Sequence, residues 1–183
     1  MSNSPPPETP QETKIRPEHA AVRELAHHLS QDHPITSGDK AALRRMHQGI
    51  RPAAFWRLVT MVLEPKGLVR DVASEQRWAD IIGLMAEAAG LHVANRRLGA
   101  ALSEAKVAET RVLRLLNAQS DGLVDALRYA IRPLIVGGSK FDQTALADLI
   151  LTDGDPERAE KPRHAIARAF YGAEFKKTQP STP

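Results

Sequence analysis

The 183-residue sequence has no cysteine, and only 4% of its residues are aromatic. The missing cysteines exclude disulfides, thiolate metal sites and thiol nucleophiles. So few rings offer no obvious base-stacking platform. No run of about 18 apolar residues occurs, so no membrane-spanning helix is expected. The opening stretch MSNSPPPETPQETKIRP has no apolar centre and does not read as a signal peptide. With cysteine absent as well, the reducing cytoplasm is the expected compartment. Strictly alternating segments and β-branched clusters are also lacking, and no internal repeat is visible. The charge is only mildly one-sided: 25 Lys and Arg against 22 Asp and Glu leave a net +3. That is compatible with a polyanionic partner without requiring one.

What the sequence does have is helical punctuation. Apolar residues recur at three- and four-residue spacing. Pro17 can open a helix to Ser30, with Ala21, Val22, Leu25, Ala26 and Leu29 on one face. Ser37 or Asp39 is the expected cap of a second helix, to about Gln48. Pro52 can open a third, AAFWRLVTMVL, ending at Pro65. Ser74 is the expected cap of EQRWADIIGLMAEAA, closed by Gly90. A short LGAAL turn at 98–102 follows, then helices over 109–118, 121–136, 142–151 and 156–171. Pro133 and Pro162 are expected to kink or break theirs. The expectation is an all-α protein, a compact bundle of about eight or nine short helices. A chain of this size buries about 70% of its unfolded surface, enough for one core or two small subdomains sharing a seam. The expected organisation is a Pro-rich disordered tail over 1–17, helical subdomains over 18–95 and 96–173, and a second tail over 174–183.

Catalytic chemistry is hard to find. The seven histidines lack an HExxH arrangement and read as surface residues. DGDPE at 153–157 begins like a calcium loop, but the required Gly and final Glu are replaced by Arg158 and His164. Gly137-Gly138-Ser139-Lys140 lacks the first Gly of a phosphate loop and the strand before it. Trp56 and Trp78 sit on apolar helix faces and read as core. No nucleophile, base and orienting group assemble, so no enzyme, metal or cofactor is expected.

The basic residues say more. On a helix, an acid three or four residues from a base marks a self-neutralised, solvated face. Lys161 with Glu157, Arg158 with Asp155, Arg163 with Glu160 and Arg77 with Asp80 read that way. Lys40, Arg44 and Arg45 have no such acid. Neither do Arg111 and Arg114, or Arg132, and Arg128 has only Asp125 near it. Several unneutralised clusters in one small chain point towards phosphate contacts.

Two ordered blocks carry a resemblance. GDKAALRRM (38–46) followed by PAAFWRLV (52–59) is the first. RLGAALSEAKVAETRVLRLLNAQSDGLVDALRYAIRPL (97–134) is the second, with FDQTALADLIL and HAIARAFYG fitting more loosely. In this order and spacing they resemble the small subunit of the type I-E CRISPR Cascade complex, the CasB family. The resemblance covers nearly all of 18–173. It implies a non-catalytic, all-helical subunit of a crRNA-guided ribonucleoprotein in antiviral defence. Two copies would lie along the complex, touching its backbone and large subunits and lining a basic path for opened target DNA. Carried over by position, Arg44, Arg45, Arg111, Arg114, Arg128 and Arg132 match basic motif positions. Lys40 and Arg97 complete the candidate nucleic-acid-binding set. The sequence departs from the family pattern at Arg97, where a small Ser is common, and at Tyr129, where a second Arg is common. It departs again at Gln143 in place of Trp, and at Pro133. The alternative is a helical protein–protein adaptor that never touches nucleic acid.

Overall fold

The computed structural model describes residues 15–46 and 50–179. Most of the tail expected over 1–17, and the last four residues of the tail expected over 174–183, lie outside those residues. Nine α-helices are seen among the described residues: α1 (Pro17–Ser30), α2 (Ser37–Arg44), α3 (Ala53–Leu58), α4 (Val72–Glu87), α5 (Leu98–Glu104), α6 (Glu109–Asn117), α7 (Asp121–Val136), α8 (Thr144–Thr152) and α9 (Pro156–Thr178). The described part of the chain is all-α, a compact bundle without strands.

The caps lie one to three residues earlier than expected. Thr36, not Ser37 or Asp39, caps α2: its Oγ1 accepts from the Asp39 N–H at 3.2 Å. The Asp39 carboxylate accepts from the Thr36 N–H at 3.0 Å, and chiefly that bond holds its pKa below the usual carboxylate value. Asp71, not Ser74, caps α4, with Ser74 as the reciprocal partner at 2.7 and 3.0 Å. In such a capping box both residues carry a capable oxygen, and the earlier one is the cap. Helix α2 stops at Arg44, short of Gln48, which is outside the described residues.

Neither Pro133 nor Pro162 breaks its helix; α7 and α9 run through both. Each proline forfeits one ladder bond, and side-chain packing carries the helix past it. For α9 that packing is against α5, where Gly99 lies directly beneath the Ile166 and Phe170 backbone. Helix α9 also continues past 173 to Thr178. Its last turn is tied down: Lys177 Nζ donates to the Ser103 carbonyl at 2.6 Å, and Ser103 Oγ donates to Glu174 at 2.5 Å. Residues 174–178 are therefore helix, not tail.

One continuous apolar cluster runs from Ala21 on α1 to Phe170 on α9. It takes in buried residues from both sides of positions 95 and 96. Trp78 lies fully inside it, whereas Trp56 is 47% exposed and does not belong to the core. A π-helical turn, Val59–Leu63, follows α3. It turns Val59, Val62 and Leu63 inwards while Trp56 stays out.

The loops before α5 and before α8 are latched together. Phe141 N–H donates to the Leu91 carbonyl at 2.9 Å, and Val93 N–H to the Phe141 carbonyl at 3.0 Å. Gln143 is buried, and its amide donates to the Ala88 carbonyl at 2.8 Å. The Gln143 N–H donates to His92 Nδ1 at 3.2 Å, so that nitrogen must be unprotonated. Burial pushes the His92 pKa below its ordinary value of 6.5; Arg23 pushes the same way and Asp142 opposes. A histidine held neutral contributes stability that is whole above its unfolded pKa and is lost as pH falls through the folded one. Unfolding free energy should therefore decline below about pH 6.5. His92→Asn, whose carbonyl can accept the same bond, should flatten that decline in denaturant titrations at a series of pH values. An unchanged profile would show that His92 does not contribute to it.

Candidate nucleic-acid interface

Helix α6 buries Val112 and Leu115 against the core. Helix α7 buries Leu123, Ala126, Leu127, Ala130, Ile131 and Leu134. That stripe leaves positions 125, 128, 129, 132 and 136 of α7 on the outer side. Where α6 meets α7, the Arg111 guanidinium carbon lies 3.9 Å from the Tyr129 ring centroid, and that of Arg114 lies 5.6 Å away. Arg132 follows Tyr129 by three residues, on the same helix face. No carboxylate among the described side chains pairs with Arg111, Arg114 or Arg132. Arg111 is half-buried, and its Nε is buried without a hydrogen-bond partner. The ring takes the place of a counter-ion, worth roughly 0.5–1 kcal/mol at an exposed site.

Three candidate cations have other partners. Arg128 Nε donates to Glu87 at 2.7 Å, and its Nη1 to Asp125 at 3.0 Å. Arg44 Nε donates to the Ala86 carbonyl at 2.9 Å. Both thus meet the C-terminal end of α4, where unpaired carbonyls favour cations. Lys40 Nζ donates to Asp32 at 3.0 Å, across eight residues. Lys40 and Arg128 thus meet carboxylates from outside their own helices, whereas Arg44 meets only a backbone carbonyl. Helical spacing cannot detect Glu87 or Asp32, because neither lies on the same helix as its base. Asp80, on α4, has its pKa raised chiefly by burial, although Gln76, Arg51 and Arg128 act to lower it.

Arg45 is exposed at the end of α2, and no described carboxylate pairs with it. Arg97 is exposed before α5, on the rim of a cavity of about 360 Å³ that Asp142, Asp148 and Pro162 also line. It therefore stands apart from the α6–α7 patch. The acid pairings expected from spacing change too. Arg158 keeps Asp155 at 3.9 Å, but Arg163 turns to Asp153 at 3.5 Å and to the Ala118 carbonyl at 2.8 Å. Glu160 pairs with His164 instead, at 2.9 Å. No ion pair to Asp80 forms at Arg77.

Tyr129 was the residue not singled out as a site. The signal for it was present: the apolar stripe of α7 excludes position 129, so its ring had to lie among the arginines. The structure therefore gathers two of the eight candidates, Arg111 and Arg114, at an aromatic ring, with exposed Arg132 three residues further along the same helix face.

The sequence profile of the family described as CRISPR-associated protein Cse2 matches residues 39–171. Among solved structures, the crystal structure of CasB from Thermobifida fusca is similar with a TM-score of 0.65 at 20% identity. The match covers 84% of this chain and 95% of that one, and at such identity it speaks for the fold. A search of curated proteins finds no significant match.

Proposed function

The chain belongs to the Cse2 (CasB) family, a subunit family of the CRISPR Cascade complex, and from that premise we propose that it is a non-catalytic structural subunit that holds opened target DNA by its backbone. The observation that carries this reading is the α6–α7 patch, where Arg111, Arg114 and Arg132 keep charge that no described carboxylate neutralises. Guided recognition leaves sequence reading to base pairing. Replacing a DNA duplex by an RNA–DNA heteroduplex is nearly balanced in free energy. Modest, sequence-blind contacts to the displaced strand then decide whether the opened state persists. Exposed Arg45 and Arg97, outside that patch, are further cations open to phosphates.

Partners in this reading are the backbone and large subunits and a second copy of the chain. Exposed apolar side chains, Trp56 on α3, Met61 after it and Phe175 on α9, supply surface for such contacts. Among the described residues no helix is long and apolar enough to cross a membrane. The proposed compartment is the cytoplasm.

The test is salt dependence. Complex reconstituted with and without this subunit should be titrated against bubble DNA over a range of salt. If the subunit neutralises about four phosphates of a single strand, its presence should steepen log K against log salt by about 3. An unchanged slope, with the subunit at full occupancy, favours the protein–protein adaptor.

A further inference from the structure

We propose that Tyr129, beside Arg111 and Arg114, is a stacking platform for one unpaired base of single-stranded DNA. This rests on the nucleic-acid reading above and deepens it: the patch distinguishes single strand from duplex, not merely anion from neutral surface. Tyr129 is 45% exposed on a helix whose apolar stripe makes no use of it. The Arg111 guanidinium carbon lies over that ring, 3.9 Å from its centroid. The buried, unpartnered Arg111 Nε shows that this guanidinium is held by the ring and not by an acid. A ring backed by one flat cation gives a base a surface to stack on. Stacking on aromatic and guanidinium planes is how unpaired bases are held without sequence preference. Exposed Arg114 lies beside the ring and exposed Arg132 follows it by three residues on the same helix face, both open to phosphates of the same strand. In a duplex the bases are stacked on one another and cannot reach the ring.

The experiment compares the full chain's affinity for oligothymidylate with that for an abasic strand of equal length and charge, by fluorescence anisotropy at fixed salt. Wild type should prefer the based strand by about fivefold or more. Tyr129→Phe should keep that preference. Tyr129→Leu should bring the ratio near one while binding of the abasic strand stays as it was. Equal wild-type affinity for both strands, with salt dependence intact, overturns the stacking and leaves the phosphate reading standing. A Tyr129→Leu variant that loses both strands alike also overturns it, since the ring then serves only to position the arginines. Salt-independent binding, or none, to either strand removes both readings.

Discussion

Gly99→Ala is expected to destabilise the fold by about 3 kcal/mol or more, near the upper end for an overpacked core site. A Cβ at position 99 would collide with the Ile166 carbonyl oxygen. It would also stand 2.8 Å from the Phe170 nitrogen and 3.0 Å from the Ala169 Cβ. Two of these three neighbours are backbone atoms of α9 and cannot rotate away as a side chain would. The helices must separate, and the cluster that includes Leu98, Ala101, Leu102, Ile166 and Phe170 would open with them. The control is Gly172→Ala on the same α9, where a Cβ meets nothing within 4 Å. There the helix should gain about 0.5–1 kcal/mol, since alanine has less backbone freedom to lose on folding. Denaturant midpoints for the two variants should move in opposite directions. A Gly99→Ala protein within about 0.5 kcal/mol of wild type, the range of an ordinary surface change, would show that α5 and α9 do not approach so closely.

Gly99 also shows where sequence reading succeeds and where it stops. The LGAAL motif is visible as a motif, and its place in the ordered set carries the family resemblance. Its physical reason, a backbone 70 residues away lying against it, is not local. The helices were legible because apolar periodicity and capping residues are local signals. The caps slipped by one to three residues because Thr36 with Asp39, and Asp71 with Ser74, are pairs in which either member has a suitable oxygen. Pro133 and Pro162 do not break their helices, because the loss of a ladder bond is local and packing from elsewhere in the chain offsets it. Trp56 faces outwards because Ala54, Phe55 and Leu58 already fill the inward face of α3. Charge was the least legible. Spacing along one helix finds Asp125 for Arg128 but not Glu87, which arrives from α4. It kept Arg111, Arg114 and Arg132 correctly free of described acids, yet did not see that Tyr129 gathers two of them.

Reversing Arg111, Arg114 and Arg132 together to Glu is expected to weaken the assembled complex's hold on opened DNA by about tenfold or more at moderate salt, since three phosphate contacts become repulsions. Folding should barely change. The lost ring–cation contacts are worth roughly 0.5–1 kcal/mol, and the Arg111–Arg114 repulsion is exchanged for an equal one between two glutamates. Arg128→Glu should behave in the opposite way. Its guanidinium joins Glu87 to Asp125, so reversal sets three carboxylates together where two had shared a cation. Both acids keep contact with solvent, which limits the loss to roughly 1 kcal/mol, and DNA binding should fall less than with the triple variant. Arg158→Glu with Lys161→Glu, on the first turns of α9, supplies the surface control. Footprinting of the displaced strand at equal subunit occupancy, beside denaturant melts of the free chain, separates these effects. If the α9 control weakens DNA binding as much as the α6–α7 triple, net charge rather than the patch is responsible. If Arg128→Glu weakens it as much without loss of stability, the Glu87 pairing does not hold Arg128 back from the strand. If the triple variant leaves the complex while the remaining subunits bind DNA as before, α6 and α7 face a protein partner, and the adaptor reading replaces the DNA-holding one.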